Sequence, residues 1–180
     1  MQGVKRIYGL PGGGSSLDLI EAAGRRGMDF VLARHEGAAV MMAAAEAELS
    51  GTLAAVLTTK GPGAANAVNG VAQASLDRAP VAVITDGFTP QQLGTISHQV
   101  FDQRAMLVPL VKAHGRLDGP DPGAEIADLL AAALSPRRGP VHIELTGAAA
   151  RSRARAYASS LAIALPAAAP AAVAAAHALL

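Results

Sequence analysis

The sequence predicts an α/β fold of three layers, in which a parallel sheet lies between helices on both of its faces. Short apolar runs alternate with segments of helical period along most of the chain, as strands joined by crossover helices require. Most of the apolar runs are continuous rather than alternating, which is typical of strands buried on both faces. A chain of 180 residues is long enough for one such domain.

Five strands and four helices are predicted in alternation. The strands are residues 4–10, 30–34, 53–59, 81–85 and 141–145, and the helices are residues 17–26, 36–49, 64–76 and 124–134. Ser15 or Ser16 is predicted to cap the first helix, and Gly27 and Gly51 are predicted to end the first two. The segment 88–117 is less regular, and it is predicted to hold a long loop, a short helix and room for a sixth strand.

Composition excludes several classes of function. The balance of 15 Lys+Arg against 14 Asp+Glu leaves a net charge of +1, so no summed field favours nucleic acid or an anionic membrane. The chain has no cysteine, which excludes disulfides and thiolate sites and is consistent with the cytoplasm. Residues 156–180 carry no Asp, Glu, Lys or Arg, but alanine content and two prolines argue against a membrane span.

Ligands of open α/β sheets bind beyond the carboxyl ends of the strands, so the residues after each predicted strand are the candidate site. Glycine-rich turns follow the first and third strands at residues 11–14 and 60–63, and Glu36 follows the second. A glutamate there is either a first-turn residue stabilised by the helix dipole or a carboxylate that faces a ligand. The turns match neither a dinucleotide fingerprint nor a Walker loop, and the five histidines lack zinc-site spacing, so no metal site is predicted.

Four motifs occur in a fixed order along the chain. They are YGLPGG at 8–13, RHEGAA at 34–39, TKGPGAAN at 59–66 and DRAPV at 77–81. Their order and spacing resemble the N-terminal pyrimidine-binding domain of thiamine-diphosphate-dependent enzymes of the acetolactate synthase type. The segment GPVHIEL at 139–145 is similar to the closing strand of that domain, so the resemblance covers about residues 3–145.

The resemblance implies a role for each of seven residues. In the family, the glutamate matching Glu36 hydrogen-bonds N1′ of the aminopyrimidine ring of thiamine diphosphate. That contact favours the imino tautomer, whose 4′-nitrogen removes the C2 proton of the thiazolium ring. Gln99 matches a glutamine that reaches toward the substrate. The residues implied to line the cofactor pocket are Pro11, Gly12, Glu36, Thr59, Pro62 and Asn66. Ordinary structural interpretations as turn, strand-end, first-turn or loop residues also stay open for Pro11, Thr59, Pro62, Asn66 and Gln99.

The chain departs from the acetolactate pattern near the implied substrate. Lys60 stands where that pattern has serine, and His98 and Val100 flank Gln99 where the synthases have phenylalanine and glutamate. The resemblance therefore implies a broader activity, that of a lyase, transferase or carboligase acting on 2-oxo acids or related compounds. Lys60 is either a solvated turn residue or a contact to an acidic substrate.

The resemblance also implies parts that these residues do not supply. In the family, Mg²⁺ holds the diphosphate in a separate domain marked by Gly-Asp-Gly, and that motif does not occur in the sequence. We therefore expect a pyrimidine-binding domain at 1–150 that lacks its first helix, a linker at 151–169 and the start of a truncated central domain at 170–180. The expected partner is a diphosphate-binding domain, in the same longer chain or in a separate subunit, within a homo-oligomer. Alone, the chain is expected to be inactive and to bind the cofactor weakly.

Two other functions stay open at this point. The chain is alternatively a non-catalytic remnant or regulatory subunit that keeps the fold without turnover. It is alternatively a small-molecule or nucleotide-binding module that uses the backbone of residues 12–14 as an anion nest.

Overall fold

The computed structural model describes residues 3–155, 157 and 168–179 of the chain. Six strands in these residues form one sheet in which every neighbouring pair is parallel. The strands are β1 (Arg6–Leu10), β2 (Asp29–Leu32), β3 (Ala54–Thr58), β4 (Val81–Gly87), β5 (His114–Gly115) and β6 (Val141–Thr146). Their order across the sheet is β2-β1-β3-β4-β6-β5.

Helices connect the strands and cover both faces of the sheet. In the described residues they are α1 (Ser15–Gly24), α2 (Glu36–Ser50), α3 (Pro62–Leu76), α4 (Pro90–Leu93), α5 (Gln103–Leu107), α6 (Pro122–Leu134), α7 (Gly147–Arg151) and α8 (Pro170–His177). Helices α2, α3 and α5 pack on one face, and α1, α6 and α7 pack on the other. The predicted three-layer α/β fold is confirmed.

The strand sequence explains this arrangement. All five residues of β3 are buried, and alternate members point into the two cores. Val56 packs with Val40 and Val83 on the α2 face, whereas Leu57 packs with Ile7 on the α1 face. A strand at the centre of a covered sheet buries both faces, and this is why the sequence of β3 is apolar up to Thr58 at its end.

The predicted cap of the first helix is wrong. The N-cap of α1 is Gly14 at φ +77°, with no side-chain cap, and the helix begins at Ser15. The Ser15 and Ser16 side chains are buried, and both donate hydrogen bonds to Asp86 at the end of β4. By contrast, Gly51 caps α2 in the left-handed conformation at φ +68°, as predicted.

The irregular segment after β4 folds into several short elements. It contains α4, α5, a 3₁₀ turn (Val108–Leu110) and β5, so the sixth strand is confirmed as a two-residue edge strand. Thr89 caps α4 through a capping box with Gln92, and Asp102 caps α5 by accepting a hydrogen bond from the Ala105 amide at 2.8 Å. These elements are too short to produce a helical or strand period in the sequence.

The described end of the chain contains two more helices. Helix α7 packs against α1, and Arg151 in its last turn lies 3.2 Å from the Asp18 carboxylate. Helix α8 is exposed along its whole length. Most of the predicted linker, at 156 and 158–167, lies outside the described residues. None of the helices that the structure describes is long and apolar enough to cross a membrane.

Candidate functional site

The strand order reverses between β1 and β3, because the chain runs outward from β1 to β2 and then returns to the other side of β1. Such a reversal opens a crevice beyond the carboxyl ends of the two strands, where ligands of open α/β sheets bind. Gly12 follows β1 and Thr59 follows β3, so the two turns face each other across this crevice. A Cβ placed on Gly12 would lie 2.6 Å from the Cβ of Thr59, so only glycine allows the turns to meet this closely.

Glu36 lies at the first position of α2, beyond the end of β2, and is only 8% exposed. The preceding residue, His35, is the N-cap, and its Nδ1 accepts a hydrogen bond of 3.0 Å from the Gly37 amide. Oε2 of Glu36 accepts a hydrogen bond of 3.2 Å from Nδ2 of Asn66 on α3. Oε1 accepts no hydrogen bond within the described residues. One carboxylate oxygen is therefore held, and the other is available to a ligand.

Two glycines of α3 allow α2 and α3 to approach each other at this point. A Cβ on Gly70 would lie 2.6 Å from the carbonyl oxygen of Gly37 on α2. A Cβ on Gly63 would lie 2.6 Å from Cγ2 of Thr59 and 3.3 Å from Oε1 of Glu36. Glu36, Thr59 and Gly63 are therefore mutual neighbours, and no side chain other than hydrogen fits at position 63 without displacing them.

A buried carboxylate on β4 connects the two glycine turns. Asp86 is fully buried, and it accepts hydrogen bonds from Ser15 Oγ and, at 2.6 Å, from Ser16 Oγ. Thr59 Oγ1 lies 3.5 Å from Oδ2 of the same carboxylate, and Lys60 Nζ lies 3.8 Å from it. Buried charges need such partners, because an unpartnered carboxylate pays its full desolvation cost. Asp86 thereby joins the turn after β1 to the turn after β3.

Gln99 lies on the other side of the turn after β3. Its φ of +60° is in the left-handed region, and its carbonyl oxygen would lie 2.5 Å from a Cβ on Gly61. Gly61 itself has a φ of +62°, so both its conformation and its surroundings require glycine. Lys60 lies beside this contact, with Nζ 5.1 Å from the centre of the Phe88 ring. The loop that carries Gln99 therefore packs directly on the glycine turn.

A second crevice lies where the strand order reverses again, because β6 inserts between β4 and β5. A cavity of about 660 Å³ occupies this position, and we call it the Glu144 cavity. Six of its polar lining residues are Lys60, Gln99, Gln103, His114, Arg116 and Glu144. Lys60 and Gln99 therefore link this cavity to the first crevice.

Gln103 borders the Glu144 cavity and makes four polar contacts. Its Nε2 carries two hydrogens and lies 3.1 Å from Thr85 Oγ1, 2.9 Å from the Asp86 carbonyl oxygen and 2.7 Å from Glu144 Oε1, so two of these acceptors share one hydrogen. Its Oε1 accepts from the Gly61 amide at 3.2 Å. Gln103 is buried, so these contacts replace the hydrogen bonds to water that its side-chain amide loses on folding. One side chain thus ties β4 and β6 to the turn that precedes α3.

Two histidines, His114 on β5 and His142 on β6, lie side by side near Glu144. Nδ1 of His114 and Nδ1 of His142 are 2.8 Å apart, and Nε2 of His142 lies 2.9 Å from Thr85 Oγ1. Burial, together with the nearby His114, lowers the pKa of His142 to about 3, so His142 is neutral at physiological pH. Burial also lowers the pKa of His114, and the Glu144 carboxylate partly opposes that effect.

The structure thus brings some predicted residues together and separates others. Gly12, Thr59, Asn66 and Glu36 form one continuous set of contacts at the first crevice. Pro11 is exposed in the turn after β1, Pro62 is exposed at the first position of α3, and Gln99 borders the Glu144 cavity instead.

Sequence reasoning missed the polar residues of the second crevice and the role of Asp86. The available signal was weak but present, since Thr85 and Asp86 end an otherwise apolar run and His142 and Glu144 alternate with apolar residues in β6.

The first crevice offers a hydrogen-bond acceptor to a ligand. Oε1 of Glu36 is an acceptor without a partner in the described residues, and it lies 3.3 Å from the position that a Cβ on Gly63 would take. No group of three or more metal-ligating side chains capable of holding an ion occurs in the part of the chain that the structure describes.

The fold and the position of the crevice define a ligand-binding domain of the doubly wound α/β class. Residues 1–106, more than half of the chain, match the family described as thiamine pyrophosphate enzyme, N-terminal TPP binding domain. The chain belongs to this family, which implies thiamine diphosphate as the cofactor. The resemblance stated from the sequence is confirmed.

Curated relatives agree with the family. The chain is 41% identical over 112 residues to the acetolactate synthase isozyme 3 large subunit of Escherichia coli K12, covering 62% of this chain and 19% of that protein. It is 34% identical over 148 residues to the probable acetolactate synthase large subunit of Methanocaldococcus jannaschii, a match that covers 80% of this chain and 24% of that protein. It is 36% identical over 145 residues to the acetolactate synthase large subunit of Lactococcus lactis, a match that covers 79% of this chain and 25% of that protein. The chain spans a quarter or less of the length of these relatives.

Proposed function

We propose that this chain is the pyrimidine-binding part of a thiamine-diphosphate-dependent enzyme and that Glu36 activates the cofactor. The observation that carries the proposal is the geometry of the Glu36 carboxylate. Asn66 holds Oε2 at 3.2 Å, while Oε1 accepts no hydrogen bond within the described residues. When bound, thiamine diphosphate supplies a carbon nucleophile and an electron sink. Glu36 would hold the proton shared with the ring nitrogen N1′, in a site from which water is largely excluded.

The other residues of the crevice would bind and orient the ring. Thr59 and Gly12 form the wall where the two turns meet, and Asn66 orients the Glu36 carboxylate. The exposed rings of Pro11 and Pro62 would complete the wall when a second domain covers the crevice. Gln99 would face the substrate from the Glu144 cavity. Each of these roles is taken from the family resemblance, and the position of each residue is consistent with its role.

The enzyme as a whole would contain parts beyond the pyrimidine-binding domain at 1–150. The curated relatives are four or more times as long as the matched segment, which supports a longer chain or a second subunit that carries the diphosphate domain. That domain would hold the diphosphate through Mg²⁺. Exposed apolar side chains such as Leu32, Leu49 and Leu76 support assembly into a homo-oligomer, and the absence of cysteine supports a cytoplasmic location.

We propose a lyase or transferase activity on 2-oxo acids or related compounds. The relatives are named acetolactate synthases, which supports carboligase chemistry of this kind. Lys60, near the implied substrate position, lies between Asp86 and the Phe88 ring rather than in open solvent. This placement is consistent with a contact to an acidic substrate.

Binding of thiamine to the isolated chain tests the cofactor assignment. Thiamine keeps the aminopyrimidine ring and lacks the diphosphate, so its binding does not depend on the Mg²⁺-binding domain. We expect thiamine to shift the NMR signals of the Gly37 and Gly63 amides and of the Asn66 side-chain amide. The variant Glu36→Gln should lose these shifts, whereas Glu48→Gln, which alters an exposed glutamate of the same helix, should keep them. Shifts confined to the Gly12–Gly14 turn on addition of AMP, with none from thiamine, would favour a nucleotide-binding module instead.

Turnover can be tested in a chimaera. Residues 3–150 would replace the matching segment of the E. coli isozyme 3 large subunit, to which the chain is 41% identical over 112 residues. We expect activity on a 2-oxo acid, and we expect Glu36→Gln to reduce it about 10²–10⁴-fold, the usual contribution of a positioned acid–base group. A folded chimaera that binds thiamine diphosphate without any turnover would indicate a non-catalytic remnant.

A further inference from the structure

Thr85, His142 and His114 form a chain of hydrogen-bonding groups that leads from the sheet to the Glu144 cavity. Thr85 Oγ1 lies 2.9 Å from Nε2 of His142, and Nδ1 of His142 lies 2.8 Å from Nδ1 of His114. Thr85 and His142 are fully buried, whereas His114 lines the cavity. The proposed function does not use any of these three residues.

The positions of the protons follow from counting donors and acceptors. A neutral imidazole has one N–H donor and one acceptor nitrogen, so only one of the facing Nδ1 atoms carries hydrogen. If Thr85 donates to His142 Nε2, then His142 donates from Nδ1 to His114, whose own hydrogen is on Nε2. Thr85 Oγ1 still accepts the hydrogen bond of 3.1 Å from Gln103 in this arrangement. Of the groups in this hydrogen-bonded chain, the Nε2 hydrogen of His114 alone then lacks a partner in the described residues, and it lies at the Glu144 cavity.

The reverse direction leaves two groups unsatisfied. His142 would donate from Nε2 to Thr85, and the Thr85 hydroxyl hydrogen would then lack an acceptor in the described residues. His114 would donate from Nδ1, and its Nε2 lone pair would face Oε2 of Glu144, 3.8 Å away. Because unsatisfied buried polar groups are costly, the first direction is favoured.

We infer that the Thr85–His142 pair holds His114 as the neutral Nε2–H tautomer and presents that N–H to the Glu144 cavity as a donor for a substrate hydroxyl. Thr85 and His142 are positioning residues in this scheme, and His114 is the residue that would touch the ligand. The tautomer stands on the hydrogen-bond geometry alone, whereas the ligand assignment rests on the proposed function, since Gln99 and Lys60 line the same cavity.

The charges around His114 are consistent with a neutral ring. Burial lowers its pKa first, and Arg104 on α5 and Arg116 beyond β5 act in the same direction. Glu144 on β6 and Glu125 on α6 oppose them without reversing the result. Protonation of His114 would also place its Nδ1 hydrogen against the Nδ1 hydrogen of His142. The donor and acceptor in both hydrogen bonds, from Thr85 to His142 and from His142 to His114, would then have to exchange roles.

The surroundings of Glu144 indicate which ligand group fits. His114 Nε2 is 3.8 Å from Glu144 Oε2, which is beyond hydrogen-bonding distance. Arg116 Nε is 3.3 Å from the same oxygen but makes no hydrogen bond in the described part of the chain. Because Arg116 Nε is buried, the donor open to a ligand is Nε2 of His114, and the acceptor beside it is Oε2 of Glu144. A hydroxyl accepts from His114 and donates to Glu144, whereas a carbonyl oxygen leaves Glu144 unmatched.

Long-range ¹H–¹⁵N NMR of the histidine rings in the 180-residue chain tests the tautomer at neutral pH. We expect hydrogen on Nε2 of His114 and on Nδ1 of His142, with the signals assigned through His114→Gln and His142→Gln. Hydrogen on Nδ1 of His114, or a charged His114 ring, would overturn the inference. This readout involves no thiamine compound, so its failure is separate from failure of the proposed function.

A matched pair of variants tests the positioning role of Thr85. Thr85→Ser keeps the hydroxyl and should preserve both tautomers. Thr85→Val removes the donor to His142 Nε2, so both rings should show averaged signals from two tautomers. Unchanged tautomers in Thr85→Val would contradict the role of Thr85. If this variant does not fold, the wild-type spectrum still decides which tautomer His114 adopts.

Lactate and pyruvate at equal concentration test the ligand assignment, since they differ at C2 by a hydroxyl against a carbonyl. We expect lactate to shift the His114 ring signals more than pyruvate does. Equal shifts, or none from either compound, would overturn the hydroxyl assignment and leave the tautomer result standing.

Discussion

Nδ2 of Asn66 lies 3.2 Å from Oε2 of Glu36, and this hydrogen bond joins the beginning of α2 to the beginning of α3. The contact is intolerant of a second negative charge. We expect Asn66→Asp to lower the free energy of unfolding by about 1–3 kcal/mol, because it replaces a donor by a like charge at a partly buried carboxylate. Asn69→Asp, which alters an exposed residue of the same helix, should change it by less than about 0.5 kcal/mol. Urea unfolding of both variants checks this, and equal stabilities would contradict it.

Gly12 and Gly13 offer a second matched pair. A Cβ at position 12 would lie 2.6 Å from the Cβ of Thr59 and 2.9 Å from the Asp86 carboxylate, whereas nothing lies within 4 Å of a Cβ at position 13. We expect Gly12→Ala to destabilise the domain by about 1–3 kcal/mol through overpacking. Gly13→Ala should be neutral or stabilising by up to about 1 kcal/mol, since the φ of Gly13 is not positive. Thermal and urea unfolding would reveal whether the two variants differ in this order.

Asp86 is predicted to be the most sensitive carboxylate in the crevice. Asp86→Ala removes the acceptor of two buried serine hydroxyls and the partner of Lys60. We expect a loss of about 3–5 kcal/mol, as found when one member of a buried charged pair is removed. Asp77→Ala, at an exposed helix end, serves as the control and should lose less than about 1 kcal/mol. A loss below 1 kcal/mol for Asp86→Ala would show that the cluster is solvated.

The buried histidine predicts how stability depends on pH. Burial lowers the pKa of His142 from its ordinary 6.5 to about 3, so between these values the unfolded chain binds a proton that the folded chain does not. Above about pH 6.5, protonation of His142 does not reduce the free energy of unfolding. As the pH falls from there toward 3, the free energy of unfolding decreases by up to about 1.4 kcal/mol per pH unit.

Urea unfolding between about pH 6.5 and 5 measures this slope while most carboxylates of the unfolded chain remain charged. His142→Gln should flatten the slope relative to wild type. The exposed His98→Gln serves as the control and should leave it unchanged. A wild-type slope no steeper than that of His142→Gln would contradict the prediction.

Calorimetry of the isolated chain tests the division of the cofactor site between two domains. We expect thiamine diphosphate with Mg²⁺ to bind more weakly than micromolar, because charge-assisted and metal contacts to the diphosphate supply much of the affinity. The described residues contain no group of three metal-ligating side chains that could supply the metal contacts. Nanomolar binding by the 180 residues alone would disprove the proposed division.

The layers of the fold were predictable because local patterns encode them. Residues 53–57 are continuously apolar, and most of them lie in the fully buried β3, while the glycine at 51 ended α2. Glu36 was also found from the sequence, since its place after a strand and before a helix is a local property.

The remaining features depend on partners that are distant along the chain. Ser15 and Ser16 have the chemistry of helix caps, but their hydroxyls reach Asp86, some 70 residues away, because the sheet brings β4 beside the start of α1. The Glu144 cavity likewise takes its polar residues from β5, β6, α5 and the loops that carry Lys60 and Gln99. No spacing in a single segment indicates that these residues meet.

The backbone contact between Gly70 and Gly37 has a consequence for protein engineering. Because two helices meet there without an intervening side chain, the Glu36 carboxylate is held by the relative placement of two whole elements. The smallest transplantable unit of this crevice is therefore the pair α2 and α3 with their leading turns. A design that copies only the loop bearing Glu36 into another scaffold would carry over the carboxylate without its orientation.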